Sequence, residues 1–283
     1  MIECMLRACA RFCRRFHYMQ NNCRPYVLFG VVAVALAFLA GCAAKPDGSL
    51  VVAQYEYAGV LRIGVYEHIE SFGSKTQDGR PTGLEADLAG MLGGRIMKDM
   101  KKVELVAVNS VTKRYALNEG DVDMTLAMQT AANYLTSGYA FSEPYYVDTY
   151  AFLSPENGPL VQEAGQLAGK KLGVINGSVA QSVLQTCVEE AAIECETVPL
   201  ASYPEAMELL HKGLLDHFFA ESGVLNSLAP EGAVIGPYTY GQAPYCVMVL
   251  KENEDVLQLV NEELQSLKDS GDLRALTAQY GLD

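Results

Sequence analysis

The residues in this sequence that could do chemistry are few, and they stand at the ends of its apolar runs. Gly177-Ser178 lies between a β-branched run, Leu172 to Ile175, and a helical pattern from Val179 to Glu190. Backbone N–H groups and a hydroxyl at a helix N-terminus bind anions, although Gly-Ser before a helix serves equally as a plain cap. Glu221 closes the run LLDHFFAES, five residues after Asp216. A carboxylate at such a strand end is either solvated or offered to a ligand. Lys113 and Arg114 open a helical pattern and read either as solvated charges or as cations turned inward. The histidines at 17, 68, 211 and 217 have no ligand spacing, so no metal and no other cofactor is expected. There is no phosphate loop, no Gly-x-Ser-x-Gly elbow and no Cys-His pairing that would make a nucleophile. The inventory favours binding over catalysis, and no enzyme activity is expected.

The cysteines sort by position. Cys4, Cys9, Cys13 and Cys23 stand in an N-terminal leader that also carries Arg7, Arg11, Arg14, Arg15 and Arg24. An uncharged run, Tyr26 to Ala40, follows Arg24, which gives the basic flank and apolar stretch of a secretory signal. It is too short for a membrane span. Leu39-Ala40-Gly41-Cys42 resembles the bacterial lipobox, whose thiol is acylated before cleavage. The expected product is a lipoprotein that begins at Cys42, anchored to a membrane by two or more acyl chains, palmitate among them. Met19 is a plausible true start. Cys187 and Cys195 could pair in an oxidising compartment or remain two buried thiols, and Cys246 sits in an apolar strand as inert core.

Of the 21 basic and 34 acidic residues, the leader holds five and one, so the mature part carries 16 against 33, a net charge of −17. That excess argues against nucleic acid or anionic headgroups as partners of the globular part. Residues 43–57, with Pro46-Asp47-Gly48, read as a tether. Beyond Gly59, apolar runs and helical patterns alternate: Leu61 to Val65, Glu85 to Ile96, Val103 to Val108, Lys113 to Glu119, Met124 to Met128. A second series follows from Leu172 to Ala220, with a strand near Glu194 to Val198 and a helix from Tyr203 to Lys212. Such alternation predicts parallel βαβ units, hence an α/β fold of two lobes. Thr149 to Leu153 and Tyr245 to Leu250 are predicted as buried strands crossing between the lobes. The last helical patterns, Val256 to Leu267 and Leu273 to Tyr280, are expected back on lobe 1. The layout is 1–41 signal peptide, 42–57 tether, 58–150 lobe 1, 151–243 lobe 2 and 244–283 the return to lobe 1.

Several phrases resemble one family, the solute-binding proteins of polar amino-acid ABC transporters. They are LRIGV with Phe72, DGRPTGLEADLAG from Asp78, VELVAVNSVTKRYALNEGDVDMTLA from Val103, FSEPYY from Phe141, GVINGS from Gly173 and the closing LKDSGDLRALTAQYGL. The resemblance spans Gly59 to Asp283 and is nearest to binders of aspartate, glutamate and glutamine. It implies a type II periplasmic-binding-protein fold, a monomer that closes on a small ligand and presents it to a membrane permease.

The resemblance also assigns residues. Glu221 matches the acid that receives a ligand's ammonium, Thr130 keeps a hydroxyl position, and Gly177 and Ser178 form part of the carboxylate site. Lys113 matches a position where acidic amino-acid binders place an arginine for a distal carboxylate. Two positions depart: the family's carboxylate-binding arginine falls on Leu135 and a pocket glycine on Met128. A bidentate arginine is the strongest carboxylate grip, so its replacement implies a ligand other than a standard α-amino acid. Tyr66, Ile69 and Val111 are the remaining expected pocket neighbours, with Phe72, which reads equally as core or as ligand contact. Two other outcomes stay open. One is a ligand-sensing lipoprotein without transport. The other is a cyclohexadienyl dehydratase-like enzyme, for which Glu221, Lys113 or His68 would supply the acid or base.

Overall fold

In a computed structural model of the chain, the residues described are 59–131, 138–156 and 158–282. The leader, Cys42, the tether and Leu135 therefore lie outside the described residues. No described helix is long and apolar enough to cross a membrane.

The chain begins with β1 (Leu61–Tyr66), whose side chains are almost wholly buried. Fully buried strands read as continuous apolar runs because both sheet faces are covered. A short hairpin, β2 (Ser74–Lys75) and β3 (Pro81–Thr82), leads into α1 (Leu84–Met97). The small residues of α1 let it lie close on the sheet. A Cβ on Gly93 would stand 2.8 Å from Val103 Cγ1 and 3.0 Å from Ile63 Cδ1, so a larger residue there would push helix and sheet apart. β4 (Val103–Val108), α2 (Thr112–Glu119) and β5 (Met124–Thr125) complete the first series. β4 and β5 flank β1, both parallel to it.

The second series is β7 (Lys171–Ile175), α3 (Val179–Glu190), β8 (Glu196–Leu200), α4 (Tyr203–His211) and β9 (His217–Glu221). It too is parallel, with β7 between β8 and β9. Ser178 and Ser202 start the two helices, their side chains accepting from Gln181 N–H and Glu205 N–H, as N-caps do.

Two long antiparallel strands join the series, β6 (Tyr139–Ser154) and β10 (Val234–Leu250). Met248 of β10 pairs with Thr125 of β5 at one end, while Tyr150 to Leu153 of β6 pair with Glu221 to Phe218 of β9 at the other. The result is one eight-stranded sheet, β4-β1-β5-β10-β6-β9-β7-β8. Register shifts interrupt the β6–β10 ladder on both sides of Cys246 and near Thr239 and Tyr240. Such shifts bend and twist a strand pair locally. The runs predicted as two short crossings are thus parts of strands 16 and 17 residues long. α5 (Ser222–Leu228), which the sequence pattern did not predict, follows β9 directly.

The last helices, α6 (Val256–Ser270) and α7 (Asp272–Gln279), lie against α1. Arg95 of α1 donates to Ser266 and Asp272 at 3.1 and 3.3 Å, and Tyr280 donates to Asp87 at 2.7 Å. Gly271, at φ 80°, makes the left-handed turn between them, a conformation glycine takes without steric cost.

Candidate ligand cleft

The C-terminal ends of the parallel strands in both series converge on one cavity of about 190 Å³. Open α/β sheets place ligands there because loops and helix N-termini gather at strand ends. On the side of the first series the wall is Tyr66, Ser110, Lys113, Arg114 and the segment Ala127 to Thr130. Facing it are Ile175, Gly177 to Ala180, Tyr203 and Phe219 to Glu221.

Glu221 ends β9 and is partly buried at the cavity. Burial pushes its carboxyl up to about 7; the neighbouring Asp148 charge adds to this, while its own backbone N–H and Lys113 oppose it. A cavity carboxyl without a cation in hydrogen-bond range among the described residues is suited to receive one from outside. Lys113 stands on the opposite wall. Its Nζ donates to the Ala127 carbonyl at 2.9 Å, and burial lowers its ammonium to about 8, against the attraction of Glu85 and Glu221. Arg114, next to it, lines the same cavity. The two walls therefore carry opposite charge, the complement of a small zwitterion.

Aromatic rings close the space around Glu221. Tyr66 hydrogen-bonds Ser110 Oγ at 3.2 Å. Tyr203 is held well above the usual phenol range, first by burial and then by Glu221 and the Tyr66 and Tyr150 hydroxyls. Tyr150, directly opposite Glu221 in the β6–β9 pairing, keeps a buried hydroxyl with no hydrogen-bond partner among the described residues.

Several expectations need correction. Phe72 is fully buried and packs edge-on against Tyr146 and Tyr245, with ring centroids 5.5 and 5.3 Å away. It is core and does not line the cavity. Ile69 is 1% exposed and closes a tight bridge with Gly73. Val111 points to solvent at 83% exposure, because Asn109 Oδ1 accepts from the Val111 and Thr112 N–H groups and turns α2 so that Lys113 faces inward. His68, the alternative acid or base, is exposed beside Glu67 at 3.5 Å and outside the cavity.

Gly177 and Ser178 do line the cavity, but their polar groups are engaged within their own turn. Ser178 Oγ donates to the Ile175 carbonyl at 2.7 Å, and Gly177 N–H donates to Gln181 Oε1 at 2.8 Å. The first-turn residues Val179 and Ala180 bring α3's N-terminus to the cavity instead. Thr130 and Met128 both line it. Met124 to Met128 was predicted as one strand, yet it stops at Thr125, and Ala127 and Met128 turn left-handed at φ 50° and 48°.

Sequence reasoning missed Tyr203, Phe219, Ile175, Ser110 and Gln129. Tyr203 follows a legible cap, Ser202, but nothing local says where its ring lands. Cys187, Cys195 and Cys246 are free thiols, and Cys187 Sγ lies 3.7 Å from the Tyr238 hydroxyl. No group of three or more His, Cys, Asp or Glu that could hold a metal occurs among the described residues.

Comparison with known proteins adds an independent line. The family model for bacterial extracellular solute-binding proteins, family 3, matches residues 61–283. The glutamine-binding protein GlnH of an ABC transporter in Bacillus subtilis is 25% identical over 214 residues, 74% of this chain and 76% of the relative. The L-arginine-binding protein of Pseudomonas aeruginosa is 26% identical over 230 residues, covering 78% and 87%. Among solved structures, an ancestral amino acid-binding protein described as a precursor of cyclohexadienyl dehydratase superposes with a TM-score of 0.68 at 20% identity, covering 81% of this chain and 99% of that one. The α/β architecture with two lobes is thus that of the type II periplasmic binding proteins.

Proposed function

Because the chain belongs to the bacterial extracellular solute-binding proteins of family 3, we propose that it captures a small amine-bearing solute, an amino acid or a derivative of one, and delivers it to an ABC permease. The observation that carries this reading is the opposed charge across the cavity, Glu221 on one wall and Lys113 with Arg114 on the other. The ligand's ammonium would sit at Glu221 among Tyr66, Tyr203 and Phe219, and an acid group would lie towards Lys113. Relatives that bind glutamine and arginine support an amino-acid class. In this reading lobe 1 comprises 58–150 and 244–283, lobe 2 comprises 151–243, and flexing of β6 and β10 closes the cleft.

Acylation of Cys42 would hold the protein beside the permease, through chains worth about 0.8 kcal/mol per buried methylene. Cys42→Ala should release the protein from membranes into the soluble fraction; retention on membranes would remove the lipid anchor from this account.

A thermal-shift screen against amino acids, amines and small carboxylates tests the binding reading. A ligand at a hundred times its dissociation constant adds about 2.7 kcal/mol of stability. Stabilisation by zwitterionic ligands and none by simple amines or simple acids is the expected outcome. A screen in which no amine-bearing compound stabilises the protein refutes it.

One observation favours a second reading. A carboxyl near 7 in a cavity is poised for general acid or base work. Product release from a cyclohexadienyl acid is the signature of that enzyme, and no product over many turnovers' time would remove it.

A further inference from the structure

Behind the lobe 1 wall lies a carboxylate that the binding reading does not use. Glu85, on α1, has no exposed surface. Its Oε1 accepts from Met128 N–H and from the Tyr145 hydroxyl, both at 2.6 Å, and its Oε2 accepts from Tyr66 N–H at 2.9 Å. Two backbone N–H donors and a tyrosine hydroxyl suit an ionised carboxylate, which only accepts; burial pushes this carboxyl above the usual range, against the pull of those three bonds and of Lys113. A glutamine would set an NH₂ against one of those donors. Burying a carboxylate is costly unless it is bonded in this way.

The three donors are not scattered. Tyr66 ends β1 at the cavity, Met128 lines the same cavity, and Tyr145 belongs to the long strand β6. Ala127 and Met128 are successive non-glycine residues in the left-handed region, where Cβ crowds the carbonyl oxygen. Such a turn persists only where its surroundings hold it. The bond from Met128 N–H to Glu85 does so, and the preceding carbonyl, that of Ala127, is the acceptor of Lys113 Nζ.

We propose that Glu85 is a positioning residue for the cleft: it fixes the left-handed Ala127–Met128 turn that seats Lys113 and supplies the countercharge that keeps Lys113 cationic towards the ligand. This rests on Lys113 being the ligand's acid partner. The other charges near Lys113 are Arg114 on its own helix, which repels it, and Glu221 across the cavity, which attracts it less than Glu85 does. Glu85 thereby acts on specificity without touching the ligand. It makes the lobe 1 wall a place for an acid rather than for a neutral amide.

The test uses the full chain without ligand. The lysine side-chain amines are labelled with ¹⁵N, followed by NMR against pH, and the Lys113 signal is identified by its loss in Lys113→Met. Lys113 in the unaltered protein should titrate near 8. In Glu85→Gln its midpoint should fall by about one unit, a factor of ten in its protonation equilibrium. An unchanged midpoint in folded Glu85→Gln overturns the proposal. Should that variant not fold, coupling is read in the reverse direction. The ¹³C carboxyl signal of Glu85 must titrate at higher pH in Lys113→Met than in the unaltered protein, because the interaction is reciprocal. No displacement there overturns the proposal as well. Since neither readout involves a ligand, the positioning role can fail while the amine-binding reading stands, and the reverse.

Discussion

Lowering the pH should weaken ligand binding through Glu221, and the structure sets both the sign and the size. A ligand's ammonium requires the ionised carboxylate, but burial holds the empty carboxyl at about 7. Binding below that pH must therefore expel a proton. Each unit costs about 1.4 kcal/mol, a tenfold loss of affinity. At pH 5, two units below the midpoint, about one molecule in a hundred is ionised, and the dissociation constant should be roughly a hundredfold larger than the plateau value. At the alkaline side Lys113 loses its charge above about 8, so a ligand with both an amine and an acid should bind best between about 7 and 8. In the empty protein the same shifts act on stability. The raised Glu221 pKa contributes stability that is present below the unfolded carboxyl's value and lost as pH rises through about 7, and the depressed Lys113 pKa contributes stability present above the unfolded amine's value and lost as pH falls through about 8. Both charges are thus held at a cost in the empty cleft between 7 and 8, which a zwitterion offsets. Isothermal titration calorimetry with the strongest stabiliser from the thermal-shift screen measures this directly, in two buffers of different ionisation enthalpy to count the protons released. Glu221→Gln should lose about 1.5–3 kcal/mol, the worth of a hydrogen bond to a charged group, and its acid limb should be flat. If unaltered protein binds equally well at pH 5 and pH 7.5, or the variant keeps the slope, Glu221 is not the ammonium partner.

Other perturbations read other parts of the molecule. Lys113→Met should weaken zwitterionic ligands about tenfold or more and erase the alkaline limb, while the acid limb set by Glu221 stays; loss of the acid limb as well would contradict the charge division. Gly223→Ala should destabilise by about 1–3 kcal/mol, since a Cβ there would stand 2.6 Å from Phe72 Cε2, and Phe72→Leu should relieve it; denaturant unfolding of the single and double variants gives the coupling. In the folded protein a maleimide should label Cys195, which is partly exposed, and spare Cys187 and Cys246, which are buried. Burial also pushes the Cys246 thiol up to about 11, so it is little ionised at neutral pH. Recovery of a Cys187–Cys195 disulfide by mass spectrometry of protein purified without reductant would overturn the free-thiol arrangement.

The sequence by itself determined the alternation of strand and helix, because burial on both faces of a parallel strand and on one face of a helix leaves period and run length in the residues themselves. It marked the helix start at Ser178 and put Glu221 at a strand end, both local features. It did not determine which neighbours face the cleft. Residues two apart along a helical turn differ by about 200° of rotation, so the choice of Lys113 inward and Val111 outward was made by the Asn109 cap and by packing. Phe72 and Ile69 were legible as apolar residues after β1, but only the hinge-strand rings Tyr146 and Tyr245 and the tight bridge to Gly73 assigned them to the core. Tyr203 reaches the cavity from a helix more than 130 residues beyond Tyr66, a distance no local pattern spans. In the sequence Glu85 is only the first residue of a helical pattern. Its three donors come from β1, from the turn after β5 and from β6, and only the folded sheet brings them to one carboxylate.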